Sequence, residues 1–101
     1  MEKRKPTYDL QAFKQAFSSV RKLHLTTTAL VGARSLGCSA EDILAVIQSM
    51  QHQHFYKSMT SYQDHTVWQD VYHVPWSQVV IYLKFTADLV TEFCVLSFKE
   101  K

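Results

Sequence analysis

The chain has 101 residues, 47% of them hydrophobic and 20% charged, with only two glycines and two prolines. That is the make-up of one soluble globular domain over residues 1–101, with a single modest core and little room for flexible linkers. A formal net charge of +2 does not by itself imply nucleic acid, and no apolar run approaches the roughly 20 residues of a bilayer span.

The opening MEKRKPTYDL lacks the apolar stretch of a secretory signal, which points to the cytoplasm and to no membrane partner. The first half then reads as helix. In DLQAFKQAFSSVRKL, Leu10, Phe13, Phe17 and Val20 recur at spacings of three and four, the stripe of an amphipathic helix. Thr7 or Asp9 caps it after Pro6. HLTTT follows as a short extended segment, with Thr27 or Thr28 expected to cap a second helix over TALVGARSLG. The apolar face of that helix is read as Leu30, Ala33 and Leu36, and Gly37 is placed to end it in a left-handed turn. Ser39 caps the third helix, AEDILAVIQSM, with Asp42 completing a weak capping box. Ile43, Leu44, Val46, Ile47 and Met50 form its broad buried stripe.

The second half changes period. HFYKSMT, TVWQDVYHV, QVVIYLKFT and TEFCVLSFK are rich in β-branched and aromatic residues and are bounded by polar, turn-like residues. Four strands after three helices predict an α+β fold with a mostly antiparallel sheet. In the third strand Val79, Ile81, Leu83 and Phe85 share one face, and Val80, Tyr82, Lys84 and Thr86 the other. Strict alternation in the fourth puts Cys94, Leu96 and Phe98 together against Phe93, Val95, Ser97 and Lys99. The all-apolar faces should pack on the helices, leaving Tyr82, Lys84 and Lys99 on an open face. The first two strands have two mixed faces, which suggests a role besides core.

Several chemistries are poorly supported. His52, His54, His65 and His73 follow no metal-ligand pattern, and a histidine near a helix C-terminus is favourable without any metal. No GxSxG elbow and no glycine-rich phosphate loop occurs. Cys38 and Cys94 are far apart and read as reduced, partly buried thiols. No metal and no cofactor is expected. RNA cleavage needs neither when the substrate's own 2′-hydroxyl attacks the adjacent phosphate. It needs cations for the phosphorane, a proton acceptor and donor, and surfaces that splay bases. Lys57, Lys84 and Lys99 can supply charge, and Tyr56, Tyr82 and Trp68 can supply stacking or a phenol. Gln69 can only position or donate, and His73 titrates in the useful range. On residue chemistry alone, surface lysines and core aromatics of an ordinary sheet are the stronger alternative. Trp68 in particular reads as core.

The stretch FYKSMTSYQDHTVWQDVY, the opening MEKR and the ending LSFKEK closely resemble the MqsR (motility quorum-sensing regulator) family, toxins of type II toxin–antitoxin systems. The resemblance implies a RelE-like α+β fold and a sequence-selective mRNA endoribonuclease that cuts at GC-containing triplets without the ribosome. It also implies a cognate antitoxin, a zinc-containing protein with a helix-turn-helix domain, through which alone DNA would be engaged. The family motifs fall on Tyr56, Lys57 and Met59 in FYKSM, Gln69 in WQDVY, Tyr82 in IYLK and Lys99 in SFKEK. On this reading Lys57, Gln69 and Tyr56 are catalytic, and Met59, His73, Tyr82, Lys84 and Lys99 bind RNA. Where the family can carry arginine after WQDVY this chain has His73, which exchanges a permanent bidentate phosphate ligand for a titrating group. The segment between Lys84 and Phe93 looks longer than in some relatives and is assigned no function. The readings that stay open beside the enzyme are a non-enzymatic regulatory protein and a ribosome-dependent nuclease.

Overall fold

The structure, a computed structural model, describes residues 1–88 and 92–101. Its elements are β1 (Glu2–Lys3), α1 (Leu10–Ala16), α2 (Thr27–Ser35), α3 (Ala40–Ser49), β2 (Phe55–Thr60), β3 (Trp68–Trp76), β4 (Val79–Ala87) and β5 (Phe93–Glu100), with 3-10 turns at Val20–Lys22 and His52–His54. The strands form one antiparallel meander in the order β1-β2-β3-β4-β5, with the helices against one face. This is the expected α+β architecture, with one strand more than the sequence suggested. Two charged residues of MEKR carry no period, so β1 is visible only through its pairing with Ser58 and Met59.

The helices start where side chains cap them. Asp9 accepts from the Gln11 and Ala12 N–H groups, and Ser39 and Asp42 form a reciprocal capping box. Thr26, not Thr27 or Thr28, caps α2, because Thr26 also donates its hydroxyl to the Leu96 carbonyl and its N–H to Val95. His24–Thr26 thus lies alongside β5 and covers that sheet edge. Gly37 takes the left-handed conformation after α2, at φ 76°. Helix α1 is shorter than its stripe. The backbone departs at Phe17, and Val20 falls in the 3-10 turn, half-buried.

The buried face of α2 also differs from expectation. Ala29 and Ala33 are fully buried while Leu30 is exposed. The selecting force is proximity. A Cβ at Gly32 would run into the Phe98 carbonyl, so the helix seats its smallest residues directly on β5. On α3, Ile43, Val46, Ile47 and Met50 are buried as expected, and Leu44 is half-buried. The core joins these to Leu10, Phe13, Phe17, Tyr72, Val74, Ile81, Leu83, Phe85, Val95 and Phe98. Phe13 stacks on Phe85 at 3.8 Å between ring centroids. Trp68 stays outside this core. It is half-buried, with the Lys3 ammonium 4.2 Å from its ring centroid.

Two β-bulges set which side chains reach the open face. In β2, Phe55 pairs with Tyr72 and Lys57 with Val71, leaving Tyr56 as the extra residue. In β5, Ser97 pairs with Lys84 and Val95 with Phe85, leaving Leu96 as the extra residue. The strict alternation expected for β5 therefore fails below Ser97. Val95 and Phe93 join the helix-side core, and Cys94 pairs with Thr86 instead of sharing the Phe98 face. Thr91, read as the start of that strand, lies outside the described residues, as do residues 89 and 90 of the segment before it. Both cysteines are free and half-buried, as expected, and burial pushes both thiols up.

Candidate active site on the open sheet face

Ser58, Asp70 and Thr7 explain why the helix-side face of β2 and β3 carries polar groups. Ser58 and Asp70 are fully buried beneath the N-terminal segment. The Asp70 carboxylate accepts the Thr7 and Tyr8 N–H groups, and the Thr7 and Ser58 hydroxyls lie 2.7 Å apart. This network ties the first eight residues to the sheet, which fixes β1 beside β2.

The opposite face gathers all eight sequence-predicted residues. Met59 pairs with Gln69, Tyr82 pairs with both His73 and Lys99, and Val71 lies between Lys57 and Lys84. Val71 is fully buried without belonging to the helix-side core, as expected beneath the aliphatic stems of its lysine neighbours. The β2 bulge delivers Tyr56 to the same face. Its ring stacks on the His73 imidazole at 4.3 Å and 23°, and His73 tilts against Tyr82 at 5.9 Å. Cations flank this aromatic row. The Lys57 ammonium and the Arg4 guanidinium lie 5.3 Å and 5.5 Å from the Tyr56 centroid, and the Lys99 ammonium lies 5.2 Å from that of Tyr82.

The electrostatics differ from residue to residue. Lys57 contacts the Glu2 carboxylate at 2.6 Å, and that hydrogen bond raises its pKa, so the ammonium stays charged. The same contact holds Glu2 below the ordinary carboxylate range. Burial pulls Lys84 down, and neighbouring Lys99 adds to the effect. Burial also lowers His73, reinforced by Lys101, so its imidazole is neutral near neutral pH. Burial raises the Tyr82 phenol against the opposing pull of Lys57. The face therefore offers fixed cations, neutral rings for stacking, an amide and one carboxylate held against a lysine.

Sequence reasoning missed Glu2, Arg4 and Lys101. The first two lie in β1 and just beyond it, where no periodicity shows a strand. Lys101 is held by donating its N–H to the Val80 carbonyl. The remaining histidines lie elsewhere. His52 and His54 form a 3-10 turn, in which His54 Nδ1 accepts the Gln51 N–H, and His65 is in the β2–β3 loop. Among the described residues no group of three or more His, Cys, Asp or Glu side chains is placed to hold a metal ion.

A single antiparallel sheet with helices behind it and a cationic, aromatic face in front defines the class, an α+β protein. The profile of the family described as motility quorum-sensing regulator, toxin of MqsA, matches residues 5–100. The chain is 39% identical over 101 residues to the mRNA interferase toxin MqsR of Escherichia coli (strain K12), an alignment that covers the whole of both chains. The chain belongs to the MqsR toxin family.

Proposed function

We propose that this chain is a toxin endoribonuclease that cleaves mRNA at the open sheet face and is held in check by a cognate antitoxin. Membership of the toxin family and the name of its relative support the activity. The observation that carries the site is the aromatic row Tyr56–His73–Tyr82, flanked by Lys57 and Lys99. The chain works in the cytoplasm as a single domain, without the ribosome, on GC-containing triplets. Its antitoxin is a zinc-containing helix-turn-helix protein, and the toxin meets DNA only through it.

The chemistry follows from the groups present. The 2′-hydroxyl attacks the adjacent phosphate in line, so the nucleophile belongs to the substrate and no metal ion is needed to generate one. Lys57 and Lys99 offset the charge that builds on the phosphorane. Gln69, which does not titrate, orients the scissile phosphate or ribose. Tyr56 and Tyr82 hold bases or ribose by stacking, and Met59 lends apolar surface beside Gln69. His73 and Lys84 extend the RNA-binding surface. The products are a 2′,3′-cyclic or 3′-phosphate and a 5′-hydroxyl.

The test is cleavage of a defined naked RNA in excess EDTA, with Lys57→Ala and Gln69→Ala alongside and the product ends mapped. The native chain should cut selectively, and Lys57→Ala should slow the reaction by about 100-fold or more. Gln69→Ala should slow it without weakening RNA binding to the same extent. Intact RNA in every lane with the native chain overturns the reading.

A further inference from the structure

Transfer of the 2′-hydroxyl proton is the step for which the roles proposed above for the eight predicted residues name no acceptor. We infer that Glu2 is a catalytic residue, the proton acceptor for the 2′-hydroxyl, working as a pair with Lys57. The inference rests on the ribonuclease reading above and deepens it.

Geometry carries the assignment. Glu2 is paired with Met59 across β1 and β2, and its Oε1 lies 2.6 Å from the Lys57 Nζ. The strand that holds it is anchored on both sides. The Met1 amine donates to the Thr60 hydroxyl, Thr60 donates its N–H back to the Met1 carbonyl, and Arg4 donates to the Tyr56 carbonyl. The carboxylate is more than half exposed, and it opens with Lys57 and Met59 onto a cavity of about 240 Å³ whose far side is the β2–β3 loop with Tyr62 and His65. A ribose whose phosphate rests on Lys57 thus brings its 2′-hydroxyl to Glu2.

The other groups of the face fit the role less well. Lys57 is held cationic, the Tyr82 phenol is pushed up, and Gln69 takes no proton. Neutral His73 can accept one, but it lies beyond the Tyr56 ring, stacked face to face with it. Asp70 is turned away and occupied by Thr7 and Tyr8.

The proton count closes within the pair. Glu2 takes the proton of the 2′-hydroxyl as the O2′–P bond forms. The P–O5′ bond breaks, and the leaving O5′ takes a proton from the Lys57 ammonium. The carboxylic acid then returns its proton to the Lys57 amine along the contact between them, restoring the starting ion pair. The charged groups facing Glu2 are Lys57 from β2 and the Met1 amine and Arg4 from its own segment, and the titratable His65 lines the cavity it opens onto.

The test uses the full chain with an RNA that the native protein cuts and a non-cleavable copy bearing a 2′-deoxy nucleotide at the cleavage position. Glu2→Gln should lower kcat by about 100-fold or more while binding the non-cleavable copy as tightly or tighter, since a negative charge beside the phosphate is gone. The rate of the native chain should fall on acidification through the Glu2 pKa, and Glu2→Gln should lose that limb. Glu2→Ala should regain rate with added formate, which an ion pair serving only to aim Lys57 does not predict. Circular dichroism melting confirms that the variants are folded. A Glu2→Gln chain that cuts at the native rate, or a loss confined to binding, overturns the inference and leaves the ribonuclease reading standing. A native chain that cuts nothing sinks both.

Discussion

His73 is set between the Tyr56 and Tyr82 rings with Lys101 nearby, and that setting decides its charge. Burial first, then the Lys101 cation, favours the neutral imidazole. The unfolded chain therefore takes up this proton at higher pH than the folded one. The stability His73 contributes is present above its unfolded pKa and is lost as pH falls through its lowered folded value. RNA binding should follow the opposite sign, because the imidazolium formed on acidification attracts phosphate. His73→Arg should raise affinity for a non-cleavable RNA roughly three- to tenfold at neutral pH and low salt, and should flatten its pH dependence. Fluorescence anisotropy across the histidine range checks both effects, and unchanged affinity in the arginine variant removes His73 from the RNA-binding surface. The individual members of this face were legible because strand alternation and motif resemblance point to side chains one at a time. Their contacts were not. That Tyr56 stacks on His73, and that Lys57 is already engaged by Glu2, depends on register, which no single residue carries.

Register is the property of elements, and here it turns on two extra residues and one glycine. Without the bulge at Tyr56, unbroken alternation from Lys57 would send Tyr56 toward the helices and Phe55 toward the open face. With it, Phe55 packs on Tyr72 and Tyr56 joins Lys57 outside. The second bulge, at Leu96, moves Phe93 and Val95 inward while keeping Lys99 beside Tyr82. Both bulges escape a period-2 reading: the one in β2 leaves two mixed faces, and the one in β5 lets strict alternation return an all-apolar face that the fold does not keep below Ser97. Helix caps were easier to find, since Asp9 and Ser39 act within three residues of themselves. The cap of α2 was misplaced by one or two positions because the choice of Thr26 is made by β5, seventy residues away. The seat of α2 on β5 gives the element-scale prediction. Gly32→Ala gains about 1 kcal/mol of helix propensity, but its Cβ meets the Phe98 carbonyl, which is backbone and cannot swing aside. The net should be a loss of roughly 1–2 kcal/mol, read as a lower urea midpoint at unchanged m-value. A variant as stable as the native chain would show that α2 is free to sit farther from β5.

At the scale of the whole molecule, a net charge of +2 hides an uneven distribution. The helix-then-strand order and the α+β class were legible from periodicity, because each half keeps one period long enough to be read. The charged face was legible only in part: alternation placed Lys84 and Lys99 on an open face, but Glu2, Arg4 and Lys101 join it from the two chain ends, which meet only in the folded sheet. Lys57, Lys84, Lys99 and Lys101 reach it from three separate stretches of sequence. Their joint effect is measurable in a way that total charge is not. If all four neutralise phosphates, a single-stranded RNA should bind with a slope of roughly −3 in log affinity against log salt, far steeper than a net charge of +2 suggests. Lys99→Ala should reduce that slope by about 0.7 and weaken binding similarly for all sequences, because an ammonium over the Tyr82 ring reads phosphate rather than base. Salt titrations of a non-cleavable RNA by anisotropy decide the matter. A slope near zero would mean that stacking on Tyr56 and Tyr82 holds the strand and the lysines serve chemistry alone. A steep slope untouched by Lys99→Ala would move the strand's path away from β5, toward Arg4 and the β1 edge.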